Sequence, residues 1–148
     1  MIIIRQMEIT DLDQVLPIEE ANFSVPWTAN GFFTFLIRED ALFLVAEEEE
    51  TSEILGYCGI ILSLDEGDIT NVCVREADRR KGIGRKLVER LIGETAKRGV
   101  STWHLEVRQS NESAIRLYEK LGFVQDGLRK GYYEAPKEDA VLMSRKED

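Results

Sequence analysis

Three runs rich in β-branched and aromatic residues, "ALFLVAE", "LGYCGIILSL" and "GDITNVCVR", follow one another between Ala41 and Arg75, separated by the polar stretches "EEETSE" and "DEG". Short apolar runs punctuated in this way predict an antiparallel meander, with the acidic run Glu47 to Glu50 as a hairpin tip. Further on the period changes. Ile83, Leu87, Val88, Leu91 and Ile92 recur at i, i+4, i+5, i+8 and i+9, which predicts an amphipathic helix ending before Gly99. In "TWHLEVR" the alternation returns, placing Trp103, Leu105 and Val107 on one face of a strand and Thr102, His104 and Glu106 on the other. "NESAIRLYEKLGF" predicts a short helix over 111–121, capped near Ser110 or Asn111 and closed by Gly122.

The N-terminal part reads as strand "MIIIRQM" and then two helices. The first starts near Asp11, with Thr10 as cap and Asp13 three residues on, and Glu19 and Glu20 belong to its solvated face. The second is capped by Thr28 and carries the apolar stripe Phe32, Phe33, Phe35 and Leu36. "RKGYYEAPKEDAVLMSR" closes the chain as a hairpin or as a loop plus strand. The resulting order is strand, two helices, three strands, helix, strand, helix and final strands. It predicts a mixed α/β or α+β fold around one central sheet.

Composition narrows the class. With 148 residues, 43% hydrophobic and 32% charged, the chain has the usual mixture of a globular protein and the length of one domain, expected to span 1–148. Cys58 and Cys73 lie inside strand-like runs with no CxxC or Cys/His spacing, so neither a zinc site nor a disulfide scaffold is expected, and a reducing cytoplasm fits. No run approaches the roughly 20 apolar residues of a membrane helix, and no export signal is read. The balance of 19 Lys+Arg against 28 Asp+Glu gives a net charge of −9. That charge disfavours direct nucleic-acid binding and suits a basic protein or an amine.

Against this acidic background stands "RRKGIGRKLV", residues 79–88. Gly82 and Gly84 sit where a strand turns into the long helix, so backbone N–H groups can converge on an anion at the helix N-terminus. Arg79, Arg80, Lys81 and Arg85 add side-chain charge at the same mouth, and guanidinium groups bind phosphate oxygens two at a time. The stretch is neither a P-loop nor a Rossmann fingerprint.

Arg79-x-x-Gly82-x-Gly84 after "NVCVR", followed by "LEVRQSNESAIRLYEKLGF", closely resembles the GNAT superfamily of acetyl-coenzyme A-dependent N-acetyltransferases. Within it the chain resembles the RimI-type ribosomal-protein alanine N-acetyltransferases, which share Pro26-Trp27, Tyr132-Tyr133 and Glu138-Asp139-Ala140. The resemblance implies a mostly antiparallel, splayed sheet flanked by helices. It implies acetyl-coenzyme A as cosubstrate, with the loop Arg79, Arg80, Lys81, Gly82, Ile83, Gly84 and Arg85 on the diphosphate, Asn111 as a further contact, and the bulged strand Val72-Cys73-Val74 along the thioester and pantetheine.

Acetyl transfer requires a deprotonated amine, a polarised carbonyl and a proton for the departing thiolate. An N-terminal α-amine titrates near about 7.7–8.0, so a modest base suffices. Glu106 takes that role by resemblance, and Tyr118 that of proton donor and sulfur contact. Taken without the resemblance, Glu106 could simply pair with Arg108, and Tyr118 could be a core tyrosine. Cys73 reads as packing rather than nucleophile, and His104 as structural. Trp27, Tyr132 and Tyr133 are either core aromatics or, as in RimI-type relatives, residues bordering the peptide groove.

The expected function is transfer of acetyl to the α-amine of a ribosomal protein beginning with alanine. A small amine, a lysine side chain, a non-catalytic acyl-coenzyme A module and a subunit that works only within a larger complex are the alternatives. Fold and cofactor alone do not choose among acceptors.

Overall fold

Strand and helix alternate as the hydrophobic pattern requires: β1 (Ile2–Gln6), α1 (Leu12–Asn22), α2 (Ala29–Leu36), β2 (Ala41–Glu48), β3 (Glu53–Ser63), β4 (Glu66–Val74), α3 (Ile83–Ala96), β5 (Thr102–Arg108), α4 (Glu112–Lys120), β6 (Val124–Tyr133) and β7 (Glu138–Lys146). This computed structural model describes residues 1–147. The strands form one seven-stranded sheet in the order β1-β2-β3-β4-β5-β7-β6. Every neighbouring pair is antiparallel except β4 and β5. The fold is the expected α+β architecture, and the final segment resolves as the β6–β7 hairpin.

Helix starts follow local chemistry. Thr28 Oγ1 accepts from the Gly31 N–H at 3.1 Å and begins α2. Asn111 Oδ1 accepts from the Ala114 N–H at 3.2 Å and begins α4. The start of α1 differs from the expected Thr10 cap. A 3₁₀ turn over Ile9–Asp11 precedes the helix, leaves Thr10 exposed, and turns Asp11 back so that its carboxylate accepts from the Glu8 N–H at 2.7 Å and pairs with Arg5 at 2.8 Å.

Helices cover both faces of the sheet. On one face, α3 and α4 bury Leu87, Leu91 and Tyr118 against Trp103, Leu105 and Met143. The Trp103 indole N–H donates to Thr95 Oγ1 at 2.9 Å, which ties β5 to α3. On the other, α1 and α2 bury Val15, Ile18 and Phe32 against Phe43, Val45 and Tyr57. Each large side chain removed from water in this way contributes roughly 1.5–3 kcal/mol.

Two irregularities open the sheet in the middle. The β3–β4 register shifts between Gly59 and Ile60, whose partners are Asn71 and Ile69, so Thr70 is an extra residue on β4. A bulge of this kind bends its strand. The parallel β4–β5 pairing covers only Glu66–Asp68 against Thr102–His104. β4 continues to Val74 and β5 to Arg108 without further pairing to each other, so the two strands splay apart.

Glu19 departs from expectation. It is not on a solvated face of α1: at 1% exposure it is among the most buried residues of the molecule. Glu19 shares the buried side of α1 with Val15 and Ile18, four and one residues before it.

Candidate active site

The splay of β4 from β5 borders a cleft of about 710 Å³, within the usual size of a cofactor site. Val72, Cys73 and Val74 form one wall. The loop and first turn of α3 form the base, through Arg79, Arg80, Gly82, Ile83, Gly84 and Arg85. Asn111, Ala114, Leu117 and Tyr118 close the far side, and Asn22 and Phe23 enter from the end of α1. A smaller groove of about 390 Å³ between α4 and β6 contains none of the candidate residues.

The loop geometry suits an anion. Gly82 is the N-cap of α3 at φ 77°, a left-handed conformation that L side chains resist. No side chain caps that end of the helix, so its first-turn amides keep their hydrogens for a partner in the cleft. Gly84 lines the cleft as well. It lies inside the first turn, where a Cβ would make ordinary van der Waals contact with Leu117 at 3.5 Å and Val74 at 3.7 Å.

The basic side chains are not equivalent. Arg79 donates through Nη2 to Asn22 Oδ1, which fastens the loop to the end of α1. Lys81 does not line the cleft; its ammonium pairs with the buried Asp78 at 3.0 Å. Arg75 reaches the same carboxylate at 2.5 Å and, with Lys81, holds the Asp78 carboxyl below its ordinary range. Arg85 pairs loosely with Glu89 at 3.3 Å across exposed helix surface, which leaves it cheap to redirect.

Tyr118 is buried on α4 and lines the cleft. Burial raises its phenol above the ordinary range, so it is protonated at neutral pH and able to donate. Burial also pushes the Cys73 thiol up to about 11, which keeps it a thiol and removes the nucleophile of an acetyl-cysteine route.

Glu106 lies outside the cleft lining, on the face of β5 opposite Trp103, Leu105 and Val107. Its carboxylate pairs with Arg129 at 3.7 Å, not with Arg108, whose guanidinium instead reaches Glu138 at 3.3 Å. Tyr132 and Tyr133 gather around it. The Glu106 carboxylate raises the Tyr132 phenol, while burial and then Glu106 push Tyr133 up to about 12. The ring of Tyr132 sits beneath Arg129 and that of Tyr133 beneath Arg108, at 5.2 and 4.4 Å. The two tyrosine rings pack edge to face at 5.0 Å.

Trp27 stands apart from that group. It stacks on Phe35 at 4.8 Å and tilts against Phe32 and Phe43, in the α1–α2 core. His104 faces Glu66 at 2.7 Å and takes no part in the cleft. Sequence reasoning missed Glu19 and Asn71, a buried hydrogen-bonded pair behind the β4 wall. The inward helical spacing of Glu19 relative to Val15 and Ile18 was the available signal.

A strand that bulges and then splays beside an uncapped, glycine-led helix is the arrangement expected of an acyl-coenzyme A site. Residues 12–123 match the acetyltransferase (GNAT) family. The chain belongs to the GNAT acetyltransferase family. It is 36% identical over 143 residues to the [ribosomal protein bS18]-alanine N-acetyltransferase of Escherichia coli (strain K12), covering 95% of each chain. It is 35% identical over 147 residues to the enzyme of the same name from Haemophilus influenzae, covering 97% of this chain and 98% of that one. The crystal structure of the ribosomal-protein-S18-alanine N-acetyltransferase from Escherichia coli superposes with a TM-score of 0.90, covering 99% of this chain and 94% of that chain. The fold is also that of Arabidopsis thaliana NAA60 in complex with acetyl-CoA, at a TM-score of 0.89 and 19% identity, over 99% of this GNAT chain and 98% of that one. This GNAT protein is an N-acetyltransferase.

Proposed function

We propose that this GNAT enzyme transfers acetyl from acetyl-coenzyme A to the α-amine of the N-terminal alanine of ribosomal protein bS18, with residues 1–148 acting as one catalytic domain in the cytoplasm. The observation that carries this reading is identity of 35–36% along nearly the whole chain to enzymes bearing that name. The cleft supports the donor: first-turn amides of α3 with Arg79, Arg80 and Arg85 receive the diphosphate, and Asn111 and the Val72–Val74 strand receive the pantetheine arm. Lys81 serves the same loop at one remove, by holding Asp78.

In the proposed reaction Glu106 takes a proton from the acceptor ammonium, directly or through water. The amine lone pair attacks the thioester carbon. Amides of the bulged strand hydrogen-bond the carbonyl oxygen as it gains charge, a contribution of about 3 kcal/mol by analogy with oxyanion holes. As the C–S bond breaks, Tyr118 gives its proton to the departing sulfur, and the second proton that the nitrogen sheds on becoming an amide restores the Tyr118 phenol, directly or through water. Tyr132, Tyr133 and the loop bearing Trp27 flank the acceptor peptide.

An acceptor panel tests the function. The purified enzyme with acetyl-coenzyme A should acetylate an alanine-initiated bS18 peptide much faster than polyamines, free amino acids or a lysine side chain in a blocked peptide. Fast polyamine turnover beside an inert bS18 peptide would overturn it.

A further inference from the structure

The buried carboxylates of this molecule are held in two ways. Asp11 faces Arg5, and Asp78 faces Arg75 and Lys81. Glu19 has no cation within ion-pair distance among the described residues and is held by neutral donors. Its Oε1 accepts from the Tyr57 hydroxyl on β3 and from Asn71 Nδ2 on β4 at 3.3 Å, and its Oε2 accepts from the backbone N–H of Trp27 at 2.9 Å. One side chain thereby joins α1, the α1–α2 connection and the two central strands.

The arrangement fixes which way Asn71 points its amide. A carboxylate only accepts, so it takes the amide's N–H₂ and turns Oδ1 away from itself. Asn71 is 5% exposed, and that Oδ1 is the buried side-chain nitrogen or oxygen without a partner among the described residues. A buried carbonyl left this way is costly, and a ligand that supplies the hydrogen explains its retention.

Its position indicates the ligand. Asn71 follows the bulge residue Thr70 and immediately precedes Val72–Val74 of the cleft wall. Its bond to Glu19 shows that its side chain leaves the α1 face of the sheet. Glu106 leaves the same face of β5, since Trp103, Leu105 and Val107 occupy the opposite one. From the last paired residues, Asp68 and His104, Glu106 is two residues on and Asn71 three, one of them the bulge. The two side chains therefore stand across the splay from each other, one pleat beyond the last pairing.

We propose that Asn71 Oδ1 accepts a hydrogen bond from the acceptor's amine, and that Glu19 is the positioning residue that keeps the Asn71 amide turned to receive it. This rests on the reading of Glu106 as the base. Of the three N–H bonds of the incoming ammonium, one proton passes to Glu106, one hydrogen is held by Asn71 and stays in the amide, and the third leaves after attack to restore the Tyr118 phenol. Fixing both leaves the freed lone pair directed at the thioester carbon, and the Asn71 bond persists while the C–N bond forms.

The test compares an alanine-initiated peptide with its desamino analogue, identical but for the missing amine, by calorimetric affinity in the presence of coenzyme A. Asn71→Ala should weaken the amine peptide about tenfold or more, as loss of a hydrogen bond to a charged group does, and leave the desamino peptide unchanged. Glu19→Gln should give the same signature, because glutamine offers its own N–H₂, turns the Asn71 amide over and presents Nδ2 to the amine. Tyr57→Phe, which leaves that amide as it is, should stay within about twofold of the parent. Equal weakening of both peptides, or weakening of neither, would overturn the proposal, as would a parallel loss of coenzyme A affinity. Asn71→Ser supplies the same comparison if the alanine variant does not fold. Undiminished turnover in Glu106→Gln would remove the base and not the amine contact, which the affinity difference measures by itself.

Discussion

At the scale of single residues, the proposed chemistry depends on two protons that move in opposite directions. Glu106→Gln removes the group that receives one, so kcat should fall about 10²–10⁴-fold while coenzyme A affinity is kept. The deficit should shrink as pH rises through the α-amine range of about 7.7–8.0, because solvent then supplies free amine to both enzymes. Stopped turnover assays across pH check this, and a deficit independent of pH would argue against a base. Tyr118→Phe removes the group that gives the other proton. Since burial raises the phenol, the parent stays protonated throughout the neutral range, and the variant should lose about 10²-fold in kcat with no new pH dependence there.

Asp78 gives a residue-scale prediction about stability. Hydrogen bonding to Arg75, assisted by Lys81, lowers its folded-state pKa. A lowered carboxyl stabilises the fold above its unfolded value of about 3.9, and the stabilisation is lost as pH falls through the folded value. Asp78→Asn should therefore unfold at lower urea than the parent at about pH 7, and the gap should close toward strong acid. An unchanged gap from neutral to acid would mean that the ion pairs contribute nothing.

At the scale of elements, α3 matters most for the proposed donor site. Gly82 has φ 77°, and a Cβ placed on it meets nothing within 4 Å, so any penalty for a side chain is conformational and not steric. Gly82→Ala should lower stability by about 1–2 kcal/mol, the ordinary cost of a left-handed residue, and raise the KM for acetyl-coenzyme A as the first-turn amides shift. A melting curve and a donor titration measure the two effects separately.

These elements also show what the chain makes legible. The meander, α3, β5 and α4 were readable because their apolar periods are long and their ends carry Thr28, Gly82, Asn111 and Gly99. The cleft lining was readable where it is made of contiguous motif, from Val72 to Arg85 and from Asn111 to Tyr118. Structure was not readable where it depends on how elements meet. Glu19 shares the helical spacing of Val15 and Ile18, but that its carboxylate has partners there depends on Tyr57 and Asn71 of the sheet. The engagement of Lys81 with Asp78 is set by a 3₁₀ turn over Glu76–Asp78. The missing side chain of Gly59 makes room for the Phe43 ring, 2.2 Å from where a Cβ would lie, a contact between strands that no local pattern announces.

At the scale of the whole molecule, charge would separate the two substrates of the proposed reaction. The net charge is −9, and five of the basic residues, Arg79, Arg80, Lys81, Arg85 and Lys86, are gathered at the donor loop. A basic peptide approaching the opposite side of the splay would meet Glu66, Asp68 and Glu106, the last of these paired only with Arg129 at 3.7 Å. Fields of this kind attract an oppositely charged partner over about 8 Å at physiological salt and fade as salt rises. The KM for a basic alanine-initiated peptide should therefore rise several-fold between about 0.05 and 0.5 M salt, whereas that for a neutral peptide with the same first residues should change little. Because screening acts on encounter and not on the reacting atoms, kcat at saturating peptide should stay level. Equal salt dependence for the two peptides would show that the acidic surface serves solubility alone, and that selection of the acceptor is confined to the residues around its amine.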